Sequence, residues 1–87
     1  MPDRIAAKQA FGARLRLAIA QVGADYEQGL VILAKVTRAT PTDVQGWLEG
    51  STVPCATLIP SIARELRVDR YWLQTGSGVM PGNWGKG

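Results

Sequence analysis

Arg38-Ala39-Thr40-Pro41-Thr42-Asp43-Val44-Gln45-Gly46-Trp47-Leu48-Glu49-Gly50 is the stretch on which the fold turns. Thr40 has the side chain of a helix cap, and Pro41 follows at the first helical position, where its missing N–H costs nothing. Val44 four residues on, and Trp47 three beyond it, mark one buried face of a short helix. Gly50 then suits the left-handed turn that ends such a helix. The spacing predicts a helix over 41–49 that buries Val44, Trp47 and Leu48. Thr42, Gln45 and Gly46 fall outside that stripe.

Similar punctuation organises the chain on either side. Upstream, a first helix is expected over about 5–22, with Phe11, Leu15, Ala18 and Val22 inward and Arg14 and Arg16 off the stripe. Gly23 ends it, and Asp25 can cap a second helix over about 26–37. That helix should turn Leu30, Leu33, Ala34 and Thr37 inward, with Arg38-Ala39 as the turn into the third. Downstream, 51–55 reads as a loop. A fourth helix should bury Ile59, Ile62, Ala63 and Leu66, with Thr57 as its cap and Pro60 in its first turn. Asp69 opens a last short helix carrying Trp72 and Leu73, which Gly76 closes. The expected fold is all-α, a compact bundle of about five short helices in one domain over residues 1–76. Residues 77–87 are Gly-rich with Pro81 and read as a flexible tail.

Composition narrows the classes. The 87 residues are 46% hydrophobic, too apolar for a disordered chain. A domain this small buries only about 60–65% of its unfolded surface, so pairing with a second chain would help it. The longest uncharged apolar run, 30–34, is far too short to span a membrane, and no secretory signal pattern opens the sequence. A single cysteine, Cys55, leaves no internal disulfide and suits a reducing cytoplasm. It reads as a small loop residue rather than a reactive thiol. Without histidine a zinc site would have almost no ligands, so no metal or cofactor is expected. No Gly-rich phosphate loop and no nucleophile–base pair is visible, which argues against an enzyme.

Net charge is +3. Residues 1–38 carry six basic against three acidic side chains, and residues 39–87 carry four of each, so the whole excess lies in the first half. It is either a basic solvated surface or a set of phosphate contacts.

The anchors Leu33-Ala34, Thr40, Val44, Trp47, Gly50, Pro54, Leu58, Ile62-Ala63, Leu66, Val68 and Trp72-Leu73-Gln74-Thr75-Gly76 run without a gap. In this spacing the chain resembles the lambda-repressor-like, Cro/CI-type (XRE) helix-turn-helix proteins, especially short phage repressor domains. The resemblance covers about half of the chain closely and most of it loosely. It implies that helices two and three form a helix-turn-helix whose third helix enters the major groove of double-stranded DNA. The positions implied to face bases are Thr40, Thr42, Asp43, Gln45 and Gly46. Gln45 stands out because a side-chain amide can pair bidentately with adenine. Thr42 is a base contact or a first-turn residue, and Asp43 accepts from cytosine or stabilises the helix dipole. Gly46 permits close approach either to DNA or to helix two. Phosphate contacts are expected from Arg14, Arg16, Lys35, Arg38, Ser51 and Thr52.

Departures from the pattern stand beside the match. Leu30 occupies the place of a phosphate-touching Gln, with Gln28 two residues early. Arg38 occupies the turn position that favours Gly. The third helix has no basic residue, only Asp43 and Glu49. Val31, Ile32 and Val36 are apolar where polar residues are usual, which means a wider core or a patch for a partner.

The leading expectation is a transcriptional repressor or regulator that binds a short palindromic operator as a homodimer, its partner interface involving Tyr71, Met80 and Trp84. The alternative is a protein-interaction module on the same scaffold, of the antitoxin or anti-repressor kind.

Overall fold

Three helices of the chain are started by a side-chain cap and stopped by a left-handed residue. The computed structural model describes residues 4–77, which form α1 (Arg4–Gln21), α2 (Tyr26–Thr37), α3 (Pro41–Glu49), α4 (Ile59–Leu66) and α5 (Arg70–Thr75). No strand occurs among the described residues. Asp25 opens α2 with a capping box, in which its carboxylate accepts the Gln28 N–H at 2.8 Å and the Gln28 amide oxygen accepts the Asp25 N–H at 3.0 Å. The Thr40 hydroxyl accepts the Asp43 N–H at 3.1 Å to start α3. Asp69 does the same for α5 through the Trp72 N–H at 2.9 Å. The boundaries expected for α2 and α3 therefore match those observed.

Left-handed residues close the helices. Gly50 (φ 82°) and Gly76 (φ 86°) end α3 and α5, as expected. Two arginines adopt the same conformation without glycine's freedom: Arg38 (φ 62°) ends α2 and Arg67 (φ 59°) ends α4. A side chain at a left-handed position costs about 1–2 kcal/mol. The start of α4 departs from expectation. Thr57 does not cap it, because a 3₁₀ turn over Ala56–Leu58 runs straight into the helix and leaves Leu58 at the boundary without a side-chain cap. The Thr57 hydroxyl instead donates to the Cys55 sulfur at 3.3 Å.

The core draws on every helix. Phe11, Leu15, Ala18 and Ile19 meet Leu33, then Val44, Trp47 and Leu48, then Ile59, Ile62, Ala63 and Leu66, with Val68, Trp72 and Leu73 closing the far side. No polar or charged residue is buried among the described residues. Val22, expected inward, is 40% exposed: α1 has already ended, Val22 lies in the turn, and Ile19 takes the core position. Leu30, Ala34 and Thr37 are only half-buried, and the Thr37 hydroxyl donates to the Leu33 carbonyl at 2.6 Å.

The packing places α3 across α1 on one side and against α2 on the other. Gly12 makes the first crossing possible. A Cβ there would lie 2.9 Å from the Trp47 carbonyl oxygen and 3.2 Å from the Gly50 Cα. Both are main-chain atoms that cannot swing aside, so the end of α3 rests directly on the α1 backbone. The expected tail, with Met80 and Trp84, lies outside the described residues.

Candidate nucleic-acid interface

With Val44, Trp47 and Leu48 buried, α3 leaves Thr42, Asp43, Gln45 and Glu49 exposed. Thr40 is exposed as well, with its hydroxyl already engaged in the cap. The Gln45 side-chain amide donates to the Glu49 carboxylate at 2.9 Å, one helical turn on. Of the five residues expected to face bases, four therefore lie in solvent on or beside one short helix.

Gly46 is the exception, and the neighbour that its missing Cβ accommodates is not the expected α2. It is half-buried, and a Cβ there would lie 2.6 Å from the Thr52 hydroxyl and 3.6 Å from the Ser51 hydroxyl. Its carbonyl accepts the Ser51 N–H at 3.0 Å and the Thr52 N–H at 3.3 Å. The missing side chain makes room for the loop after α3 rather than for α2. The exposed Ser51 and Thr52 are thereby folded back beside the outer face of α3.

Positive charge stands at the end of α2, shortly before α3 begins. Lys35 lies exposed in the last turn, and Arg38 is exposed at the left-handed residue three positions later, two before the α3 cap. The first N–H groups of α3 add the positive end of its dipole. Asp43 and Glu49 oppose this charge on α3 itself.

The arginines of α1 behave differently from expectation. Arg14 donates through Nε to the Leu73 carbonyl at 2.9 Å and through Nη2 to the Gln74 carbonyl at 3.1 Å. It thus closes the negative end of α5, and partial burial lowers its pKa. Arg16 donates through Nη1 to the Leu48 carbonyl at the end of α3. The Arg14 fork, expected at phosphate, is bonded here to main-chain carbonyls. Arg16 retains exposed surface but also ties helices together. Sequence reasoning missed both caps because each partner carbonyl is distant along the chain.

Two further surfaces stand apart from α3. An open groove of about 1140 Å³ lies between the α1–α2 turn, α2 and the end of α4. Val22, Val31 and Ile32 line it, with Glu27, Glu65 and Arg67 also on its walls. Val31 is 62% exposed, whereas Ile32 and Val36 are half-buried and outside the core, which gains Leu30 and Ala34 from this helix instead. Tyr71 is 59% exposed on α5. Cys55 is exposed, and its pKa is lowered, first by the hydrogen bond from the Thr57 hydroxyl and then by the Thr57 N–H.

Among the described residues, no group of three His, Cys, Asp or Glu side chains could hold a metal ion, and no helix is long and apolar enough to cross a membrane. Comparison with protein families, with curated proteins and with solved structures finds no match.

Proposed function

We propose that the chain binds double-stranded DNA through α3, with α2, the Arg38-Ala39 turn and α3 serving as a helix-turn-helix. One observation carries this reading. A nine-residue helix is pinned by Val44, Trp47 and Leu48, capped by Thr40, and turns Thr42 and Gln45 to solvent directly after a turn that bears Arg38. A helix held this way can lie in the major groove while its flanks approach the backbone. In this proposal Thr42 and Gln45 face base edges. Asp43 stabilises the first turn, and Lys35, Arg38, Ser51 and Thr52 meet phosphates.

A single short helix reads only a few base pairs, so useful specificity calls for two copies. The protein is then a homodimeric transcriptional regulator of the Cro/CI-like repressor kind, acting in the cytoplasm without a catalytic step. Its two α3 helices would lie about 34 Å apart on a roughly palindromic operator. Selection of binding sites from random duplexes should enrich a motif with two-fold symmetry. Failure to enrich any motif would remove the proposal.

A second reading is favoured by the groove beside α2, where Val31 and Val22 are exposed. In that reading the scaffold holds another protein and α3 is only structural. Salt separates the two, because phosphate binding weakens steeply as salt rises and an apolar contact does not.

A further inference from the structure

The exposed face of α3 contains one side-chain contact that a solvated surface does not require. Gln45 and Glu49 are both exposed, and the Gln45 Nε2 lies 2.9 Å from a Glu49 carboxylate oxygen. A carboxylate only accepts hydrogen bonds, so the end of the amide facing Glu49 must be the NH₂ group. That fixes which way the amide is turned. The nitrogen has two N–H groups, and when Glu49 accepts the one pointing away from Oε1, the other stays free beside that oxygen. This remaining donor–acceptor pair is the one a glutamine uses against the N7 and N6 positions of adenine.

We infer that Glu49 is a positioning residue that sets the Gln45 amide for bidentate base recognition, which rests on the proposed role of α3 in DNA binding. A free glutamine must immobilise a long side chain when it meets a base, and that ordering weakens binding. A charge-assisted bond made beforehand removes part of the cost, and it also disfavours the flipped amide that would present the wrong edge. The location of Glu49 suits this task. It lies at the last residue of α3, one turn from Gln45 and exposed, so its side chain supports no part of the core. An acidic residue on a DNA-facing helix opposes phosphate. The contact with Gln45 supplies a reason for it, since specificity gains where electrostatic affinity loses.

The test compares Gln45→Ala, Glu49→Ala and Glu49→Gln on the selected duplex, on the duplex changed at the base opposite Gln45, and on random duplex. Gln45→Ala should abolish discrimination at that base. Glu49→Ala should reduce the discrimination about two- to fivefold, the scale of an i,i+4 contact strengthened by charge. It should also tighten binding to random duplex, because a negative charge is gone. Glu49→Gln should tighten random binding in the same way but keep most of the discrimination, since its carbonyl can still accept from Gln45. If Glu49→Ala discriminates as well as the parent, or if Glu49→Gln loses as much as Glu49→Ala, the positioning role is overturned. If Gln45→Ala leaves base preference unchanged, base reading by Gln45 fails as well.

Discussion

Replacing Arg38 by glycine should make the protein more stable and a weaker DNA binder at once. Arg38 sits at φ 62° and ψ 19°, in the left-handed region. An L-residue there pays about 1–2 kcal/mol. Glycine avoids that cost but loses about 0.5–1 kcal/mol through the greater freedom of its unfolded chain. The net gain is at most about 1.5 kcal/mol, which in a domain of this size raises Tm by up to about 12 °C. Arg67 provides the control, because it has nearly the same backbone (φ 59°, ψ 45°) at the end of α4, away from the proposed interface. Arg67→Gly should raise Tm by a similar amount. Thermal melts followed by circular dichroism measure this part, and fluorescence anisotropy with a labelled duplex over a range of salt measures the other. Arg38→Gly should bind every duplex more weakly, with the salt slope reduced by about 0.9 for one lost phosphate contact. Arg67→Gly should bind like the parent. Equal binding by both variants would show that Arg38 meets no phosphate, and no rise in Tm for either would show that the left-handed arginines are not strained.

Gly12→Ala should destabilise the fold by about 1–3 kcal/mol, the range for overpacking a close contact, because its Cβ would lie 2.9 Å from a fixed carbonyl oxygen. Urea unfolding checks this, and an unchanged midpoint would mean that α1 and α3 can separate without cost. The Cys55 thiol, held below its ordinary pKa by the Thr57 hydroxyl, should be more thiolate at neutral pH than a free cysteine. Alkylation should therefore be faster there than for a model thiol, and Thr57→Val should shift its pH profile upward. A profile that does not move would remove the hydroxyl as the cause.

The helices were legible in the sequence because their signals are local. Asp25 and Gln28, Thr40 and Asp43, and Asp69 and Trp72 are each three residues apart, and Gly50 and Gly76 close helices directly beside them. The face of α3 followed from the spacing of Val44, Trp47 and Leu48. Features that depend on distant partners were not legible. Arg14 meets carbonyls 59 and 60 positions away, Arg16 meets one 32 away, and nothing near either arginine marks them as caps of other helices. Gly12 looks like an ordinary helical glycine until α3 crosses it. Val22 continued a helical stripe one residue past the end of α1, into the turn that Gly23 completes. Gly46 was ambiguous because its neighbour is a loop whose path no periodicity describes.

In the proposed mode of binding, α3 and the residues around its start are the surface that meets DNA. A titration of isotope-labelled protein with the selected duplex, followed residue by residue through backbone amide NMR shifts, tests it most directly. Large shifts should cluster at Lys35, Arg38, Thr40 to Gly46, and Ser51 and Thr52, and should fade as salt is raised. Shifts confined to the groove around Val22, Val31 and Ile32, with α3 unmoved, would contradict it.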